Sequence, residues 1–261
     1  MVKHRPRKRF GQNFLVDADV IAAVIAAIAP ARGDRLVEIG PGLGALTRPL
    51  LAATGRVDAI EIDRDLAQTL TAEFGDSLRV HITDVLKFDF AALGGDLRVV
   101  GNLPYNISTP LLFYLARCTE RIRDIHVMLQ KEVVARMVAA PSDSDYGRPS
   151  VMLQYRFEME KLLDVPAAAF NPAPKVESAV VRLMPLRPPR HPARDEKLFE
   201  RIVGAAFSQR RKALRNSLRG YLSEADFAGL TISPMARAQD LGVAQYVAIA
   251  NYVGSRGAKF D

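Results

Sequence analysis

The chain has 261 residues, enough for one large domain or for an ordinary domain with a small appendage, and 49% of them are hydrophobic, which argues against disorder. A formal net charge of +7 favours a polyanionic partner, nucleic acid before a membrane surface. Cys118 is the only cysteine, so an internal disulfide is excluded and a reducing compartment suits the chain, while His4, His81, His126 and His191 are too scattered to suggest a metal site.

In chain order, residues 1–16 are basic and then turn-like. Lys3, Arg5, Arg7, Lys8 and Arg9 ahead of an apolar stretch at 21–29 imitate a signal peptide, but Asp17 and Asp19 interrupt the pattern. The apolar run also falls short of the ~20 residues of a membrane span, so a soluble, cytoplasmic protein without a membrane partner is expected. Asp17 is a candidate N-cap for a helix that Pro30 and Gly33 close. Short β-branched runs then alternate with helical stretches, giving strands at 35–39, 57–62, 78–82, 97–100 and 125–129 and helices at 45–53, 66–74, 109–116 and 132–139. That alternation predicts an α/β fold with a mostly parallel, doubly wound sheet.

Residues 142–148 are polar and turn-rich, and two more strands are expected at 162–165 and 178–184, on either side of Phe170-Asn171-Pro172-Ala173-Pro174. Pro188, Pro189 and Pro192 mark 187–194 as a linker between an α/β domain, 1–186, and a helical domain, 195–261. Within the latter, helices are expected at 197–207, 211–221, 224–227 and 244–253.

The chemistry begins at Val37-Glu38-Ile39-Gly40-Pro41-Gly42-Leu43-Gly44, a strand running into a glycine turn and then a helix. Gly40 and Gly42 let the backbone approach a ligand. Glu61, at the end of the next strand, is placed to hold both hydroxyls of a ribose, and Asp84, after the third, to take the amino group of an adenine. Together they outline a pocket for an adenosine-containing cofactor. Gly40, Gly42 and Ala45 also satisfy the looser dinucleotide fingerprint, so a nicotinamide dehydrogenase competes. Two features favour a cationic sulfonium cofactor. Glu38 would sit uneasily beside a pyrophosphate, and Asn102-Leu103-Pro104-Tyr105, after the fourth strand, has no use in hydride transfer.

That four-residue loop suits transfer of a group to a flat, amino-bearing base. The Asn102 side-chain oxygen and the Leu103 carbonyl can accept hydrogen bonds from an exocyclic amine, Pro104 fixes the turn, and Tyr105 can stack on the ring. Phe170, in its proline-flanked loop, is a second candidate for gripping the base; a buried core aromatic is the alternative. A base inside a duplex is out of reach, so the target must be single-stranded or flipped out. Arg210, Arg211, Lys212, Arg215 and Arg219 fall on the expected 211–221 helix or just before it, with no acid between them, and are candidates for gripping phosphates.

The glycine stretch, Glu61, Asp84 and Asn102 to Tyr105 resemble the motifs of S-adenosylmethionine-dependent adenine-N6 methyltransferases. With 12–15 (QNFL), 101–109 (GNLPYNIST), 170–183 (FNPAPKVESAVVRL) and 207–218 (FSQRRKALRNSL), the chain resembles the rRNA adenine N6,N6-dimethyltransferases over nearly its whole length. Within them it is most like the small-subunit rRNA branch, since antibiotic-resistance methylases of large-subunit rRNA usually carry Ile where Leu103 stands. The latter type, or a non-catalytic ribosome assembly factor, is the alternative. The resemblance implies a Rossmann-like S-adenosylmethionine-dependent methyltransferase sheet and a small C-terminal all-helical, RNA-binding domain. It implies cofactor contacts from Asn13, Leu15, Gly40, Gly42, Glu61, Asp84 and Asn102. The implied substrate is a pair of adjacent adenosines in a stem-loop near the 3′ end of small-subunit rRNA, in an assembling 30S particle, methylated by a monomer without a metal.

Overall fold

The structure is a computed structural model that describes residues 12–209 and 211–256. Its elements run β1 (Phe14–Leu15), α1 (Ala18–Ile28), β2 (Arg35–Ile39), α2 (Thr47–Thr54), β3 (Val57–Glu61), α3 (Arg64–Phe74), β4 (Leu78–Ile82), β5 (Leu97–Asn102), α4 (Ser108–Leu115) and β6 (Ile122–Gln130). They continue with α5 (Lys131–Val138), α6 (Arg148–Arg156), β7 (Phe157–Val165), β8 (Phe170–Asn171), β9 (Ser178–Pro185), α7 (Glu196–Ser208), α8 (Leu214–Ser217), α9 (Glu224–Gly229) and α10 (Val243–Ser255).

Seven strands form one sheet in the order β4-β3-β2-β5-β6-β9-β7. The five from β4 to β6 are parallel, and β9 runs antiparallel to β6. Strands covered on both faces need near-continuous apolar runs, and Leu36, Val37, Ile39, Val99 and Val100 are all buried. The expected α/β fold with a mostly parallel sheet is therefore observed. Chain order reverses at β2: β3 and β4 extend the sheet to one side, β5 and β6 to the other. At such a switch point the loops after the two central strands diverge and leave a crevice at their carboxyl ends. The two strands come unusually close there, because a Cβ on Gly101 would overlap the Ile39 carbonyl oxygen. Only glycine permits that approach.

The opposite end of the sheet is locked by charge. Arg98, 7% exposed, donates through Nε to both oxygens of Asp124, through Nη1 to Asp34 at 2.6 Å, and through both terminal nitrogens to the carbonyls of Ile28 and Ala29. The last two bonds satisfy carbonyls at the end of α1, which has no basic residue of its own in its last turn. At its start, α1 is capped by Asp17, whose carboxylate accepts from the Asp19 and Val20 amides, as anticipated.

By contacts, one compact unit comprises the chain up to Val134 with Glu158–Pro185, and the other Ala135–Phe157 with Leu186 onward. The expected boundary near 187 thus coincides with one crossing, but 135–157 lies in the helical unit and not in the sheet unit. Helix α6 lies in this segment and is absent from the sequence expectation. Its start is a proline in the first turn, with the Ser150 hydroxyl accepting the Gly147 amide at 2.9 Å. That turn chemistry masked a helix whose Val151 and Tyr155 join Tyr146, Phe199, Ile202, Val203 and Tyr246 in the helical unit's core. Nor do residues 187–194 hang as a free linker: the Ala193 amide donates to the Tyr155 hydroxyl, and the Arg194 amide to Asn251 Oδ1 at 2.8 Å.

The expected 211–221 helix is also corrected. Only Leu214–Ser217 is α-helical. Ala213 is extended and bridges Arg237, and the amides of Leu214 and Arg215 donate to the carbonyls of Ala236 and Pro234. These cross-chain partners replace the helical ones, and a run of like charges gives a helix no reason to form there.

Replacing Arg98 with Met is expected to destabilise the protein by about 3–5 kcal/mol, because Asp124 is left buried without its guanidinium and the Ile28 and Ala29 carbonyls without their donor, while Asp34 keeps only Arg123. Urea unfolding measures the loss.

Candidate active site

A cavity of about 320 Å³ opens at the carboxyl ends of β2 to β5. The turn from Gly40 to Leu43 forms its floor, Glu61 and Ile62 one wall, Thr83 to Leu86 a second and Asn102 to Ile107 a third; Gln12 to Leu15 close over it. This N-terminal stretch is held at several points. Gln12 Nε2 donates to Asp63, the Phe14 ring lies over Gly42, and β1 pairs with β8 in a two-stranded sheet. A Cβ on Gly42 would sit 3.1 Å from the Phe14 ring, and its φ of +58° favours glycine as well. Neither Gln12, Phe14 nor Asp63 was singled out as a site residue from sequence. Their roles depend on contacts between distant segments, for which no local pattern exists.

Glu61 is 5% exposed; one oxygen accepts the Asp63 amide at 2.8 Å and the other the Gly42 amide at 3.4 Å. Its pKa is raised, chiefly by burial. Glu38, 2% exposed, accepts the Thr47 hydroxyl at 2.7 Å. Burial pushes its pKa up to about 7, and the charge of Glu61 adds to the effect. Asp84 uses one oxygen to cap the turn that follows it, accepting the Leu86 amide at 3.0 Å.

At the end of β5, Asn102 Nδ2 donates to the Asn13 carbonyl at 3.0 Å. A carbonyl can only accept, so the amide orientation is fixed and Oδ1 remains an acceptor. The Leu103 amide donates to the Met128 carbonyl at 3.1 Å, which pins the loop to β6. Its own carbonyl accepts no hydrogen bond among the described residues. The Pro104 carbonyl accepts the Ile107 amide and the Ser108 hydroxyl, closing the turn ahead of α4. Tyr105 is half-buried, with its hydroxyl 2.8 Å from Ser178 Oγ.

Among the described residues the cavity lining carries three carboxylates, Glu38, Glu61 and Asp84, and no Lys, Arg or His. A pyrophosphate would meet anions without a counter-charge, whereas a phosphate-free cofactor bearing a sulfonium and an ammonium fits this donor set. The described lining favours the sulfonium cofactor over a dinucleotide.

A family model described as "Ribosomal RNA adenine dimethylase" matches residues 3–254. The chain belongs to the ribosomal RNA adenine dimethylase family. It is 60% identical to "Ribosomal RNA small subunit methyltransferase A" of Nitrosospira multiformis over 96% of this chain and 97% of that one. It is 58% identical to the protein of the same name from Aromatoleum aromaticum, covering 99% and 98%. Among solved structures it resembles a dimethyladenosine transferase from Plasmodium falciparum, with a TM-score of 0.81 at 24% identity over 94% and 98% of the chains. The 23S rRNA methyltransferase ErmE aligns with a TM-score of 0.73 at 25% identity, over 93% and 100%. The methyl donor of an rRNA adenine dimethylase is S-adenosylmethionine, the class of cofactor that the cavity's charge selects.

Within this adenine dimethylase, Asn13, Leu15, Gly40, Gly42, Glu61, Asp84, Asn102, Leu103, Pro104 and Tyr105 all line the one cavity. Glu38 joins them, and its burial is not legible from its place before the glycine turn. Phe170 does not join them. It is 4% exposed, sits in the core and lies opposite Leu15 in the β1–β8 register, outside the residues that line the cavity. Its role in this arrangement is to support the stretch that closes the cavity. Arg211, Lys212, Arg215 and Arg219 are exposed on the helical unit, fanned around a turn and a short helix instead of aligned on one helical face. Arg210 and the basic cluster at 3–9 lie outside the described residues.

The carboxylate pair gives this adenine dimethylase a pH signature. The folded pKa of Glu38 lies above its ordinary 4.5, so its contribution to stability is complete below 4.5 and is lost as pH rises through about 7. A cationic cofactor reverses that balance by favouring the ionised form. S-adenosylmethionine affinity, measured by calorimetric titration, is expected to rise between about pH 6 and 8, and Glu38→Gln to bind more weakly with a shallower profile, Glu61 remaining.

Proposed function

We propose that the protein transfers methyl groups from S-adenosylmethionine to the N6 amines of two adjacent adenosines in the 3′-terminal stem-loop of small-subunit rRNA. Family membership supports rRNA adenine dimethylation. The choice of small-subunit rRNA is supported by relatives at 58–60% identity that carry that name, and by Leu103. We infer an assembling 30S particle as substrate, action as a monomer, and a cytoplasmic setting. Among the described residues no helix is long and apolar enough to cross a membrane.

One observation carries the mechanism: adjacent residues at and just after the end of β5 each offer an acceptor, the Asn102 Oδ1 oriented by the bond to the Asn13 carbonyl and the carbonyl of Leu103, which has no partner among the described residues. An adenine N6 has two protons and a lone pair delocalised into the ring. Accepting both protons, Asn102 and Leu103 favour a more pyramidal nitrogen whose lone pair is turned toward the cofactor. The bound cofactor supplies an electrophilic methyl on a good leaving group. Tyr105 stacks on the extruded base and sets its plane. Once alkylated, the nitrogen is acidic enough to release a proton to water, so no side chain is assigned as general base. Positioning and electrostatics supply the rate. In a second round the monomethyl amine still has one proton for one of the acceptors, which suits an uncharged amide at 102.

Glu61 is assigned to the ribose hydroxyls, Asp84 to the cofactor's adenine amine through its second oxygen, and Glu38 to the cationic end. Asn13 and Leu15 cover the bound molecule, and Gly40 and Gly42 let it approach the backbone. On the helical unit, Arg211, Lys212, Arg215 and Arg219, with Arg210, are assigned to rRNA phosphates.

Incubation of unmethylated 30S particles with labelled S-adenosylmethionine, followed by mass spectrometry of the rRNA, is expected to give dimethyladenosine at two neighbouring positions. Label confined to large-subunit rRNA, or no label, would overturn the proposal. Asn102→Ala should slow transfer by about 10²-fold or more without loss of the fold. Reversing charge at Arg211 and Lys212 together should weaken rRNA binding, flatten its salt dependence by about two phosphate contacts, and leave cofactor affinity unchanged in a binding titration.

A further inference from the structure

Ser178 is out of place by ordinary packing rules. It opens β9, pairs in register with Gln130 at the end of β6, and is followed by the buried run Ala179, Val180 and Val181. Its side chain is 0% exposed. A hydroxyl at such a position is worse than a methyl unless it has a hydrogen-bond partner. The partner is the phenol of Tyr105, 73 residues away in sequence, at 2.8 Å.

We propose that Ser178 is a positioning residue for methyl transfer, acting through Tyr105 to hold the stacking ring in the plane that presents the target base to the acceptors at 102 and 103. This rests on the assignment of Tyr105 to the base. The ring belongs to a loop whose backbone is already pinned by the Leu103 amide on Met128, but that bond leaves the side chain free to turn about its own bonds. The Ser178 hydroxyl removes that freedom. Ser178 is itself fixed: the neighbouring Glu177 carbonyl accepts the Lys131 amide at 3.0 Å, and Lys131 Nζ reaches the Glu177 carboxylate at 2.8 Å. Loop and ring are thus anchored to two adjacent strands, β6 and β9. A ring held this way meets a base without first losing rotational freedom, which lowers the barrier to transfer more than it tightens the cofactor.

The test is a double-mutant cycle on intact protein with unmethylated 30S particles. Single-turnover transfer is read alongside S-adenosylmethionine affinity, melting temperature and quenching of a 2-aminopurine placed at the target position. Ser178→Ala and Tyr105→Phe are each expected to slow transfer roughly five- to tenfold, the scale of one lost hydrogen bond. Cofactor affinity should stay within about twofold, the double variant should be no slower than either single, and quenching should fall in all three. Ser178→Thr should restore most of the rate. Multiplying effects in the double variant, or wild-type transfer by Ser178→Ala, would overturn the role of Ser178. Unchanged transfer and quenching by Tyr105→Ala would instead overturn the stacking role itself, and an unlabelled wild-type reaction the methyltransferase reading.

Discussion

The hydrogen bond from the Asn102 amide to the Asn13 carbonyl joins two segments 89 residues apart and gives the active site its polarity. Without it the amide could turn over and present donors in place of the Oδ1 acceptor. The bond also fastens the stretch that closes the cavity to the strand that carries the reactive loop. Cofactor enclosure and acceptor orientation are therefore one structural fact. The close approach of β5 to β2 makes the geometry possible, and that approach in turn requires Gly101, whose replacement by any larger residue would collide with the Ile39 carbonyl.

Electrostatics divides the sheet into two ends. At the amino ends of its strands, Arg98 and Arg123 share Asp34, and Arg98 also binds Asp124 and the end of α1, a paired cluster whose effect is rigidity. At the carboxyl ends Glu38, Glu61 and Asp84 line a cavity to which the described residues bring no basic side chain. Burial is the main reason that the pKa values of Glu38 and Glu61 are raised, and for Glu38 the neighbouring charge of Glu61 adds to it. A cationic ligand balances these carboxylates, so the site is selective by charge before any contact of shape is considered.

Much of this was legible in the residues. The strands were readable because a parallel sheet needs long apolar runs, and their order after the glycine turn placed Glu61, Asp84 and Asn102 on one edge. What escaped was whatever depended on partners remote in sequence. Phe170 looked exposed because prolines flank it, yet its place opposite Leu15 buries it. The cations from Arg211 to Arg219 looked helical because no Gly or Pro falls between them, yet Ala213 is drawn into a bridge with Arg237. Helix α6 was hidden by the polar turn before it. Ser178 was visible only as one letter of a motif, and its meaning came from the ring that reaches it.

The way the chain divides its helical unit bears on how this protein can be dissected. The chain enters that unit at Ala135, leaves after Phe157 and returns at Leu186. Tyr146, Val151 and Tyr155 from the first visit are packed with Phe199, Ile202 and Tyr246 from the second. A fragment starting at 187 would lack part of its own interior, and a truncation ending there would strand an apolar helix in water. The tail is therefore not a detachable module. Its surface can be altered by point substitution, but neither half of the protein can be grafted, swapped or expressed alone by cutting at the prolines.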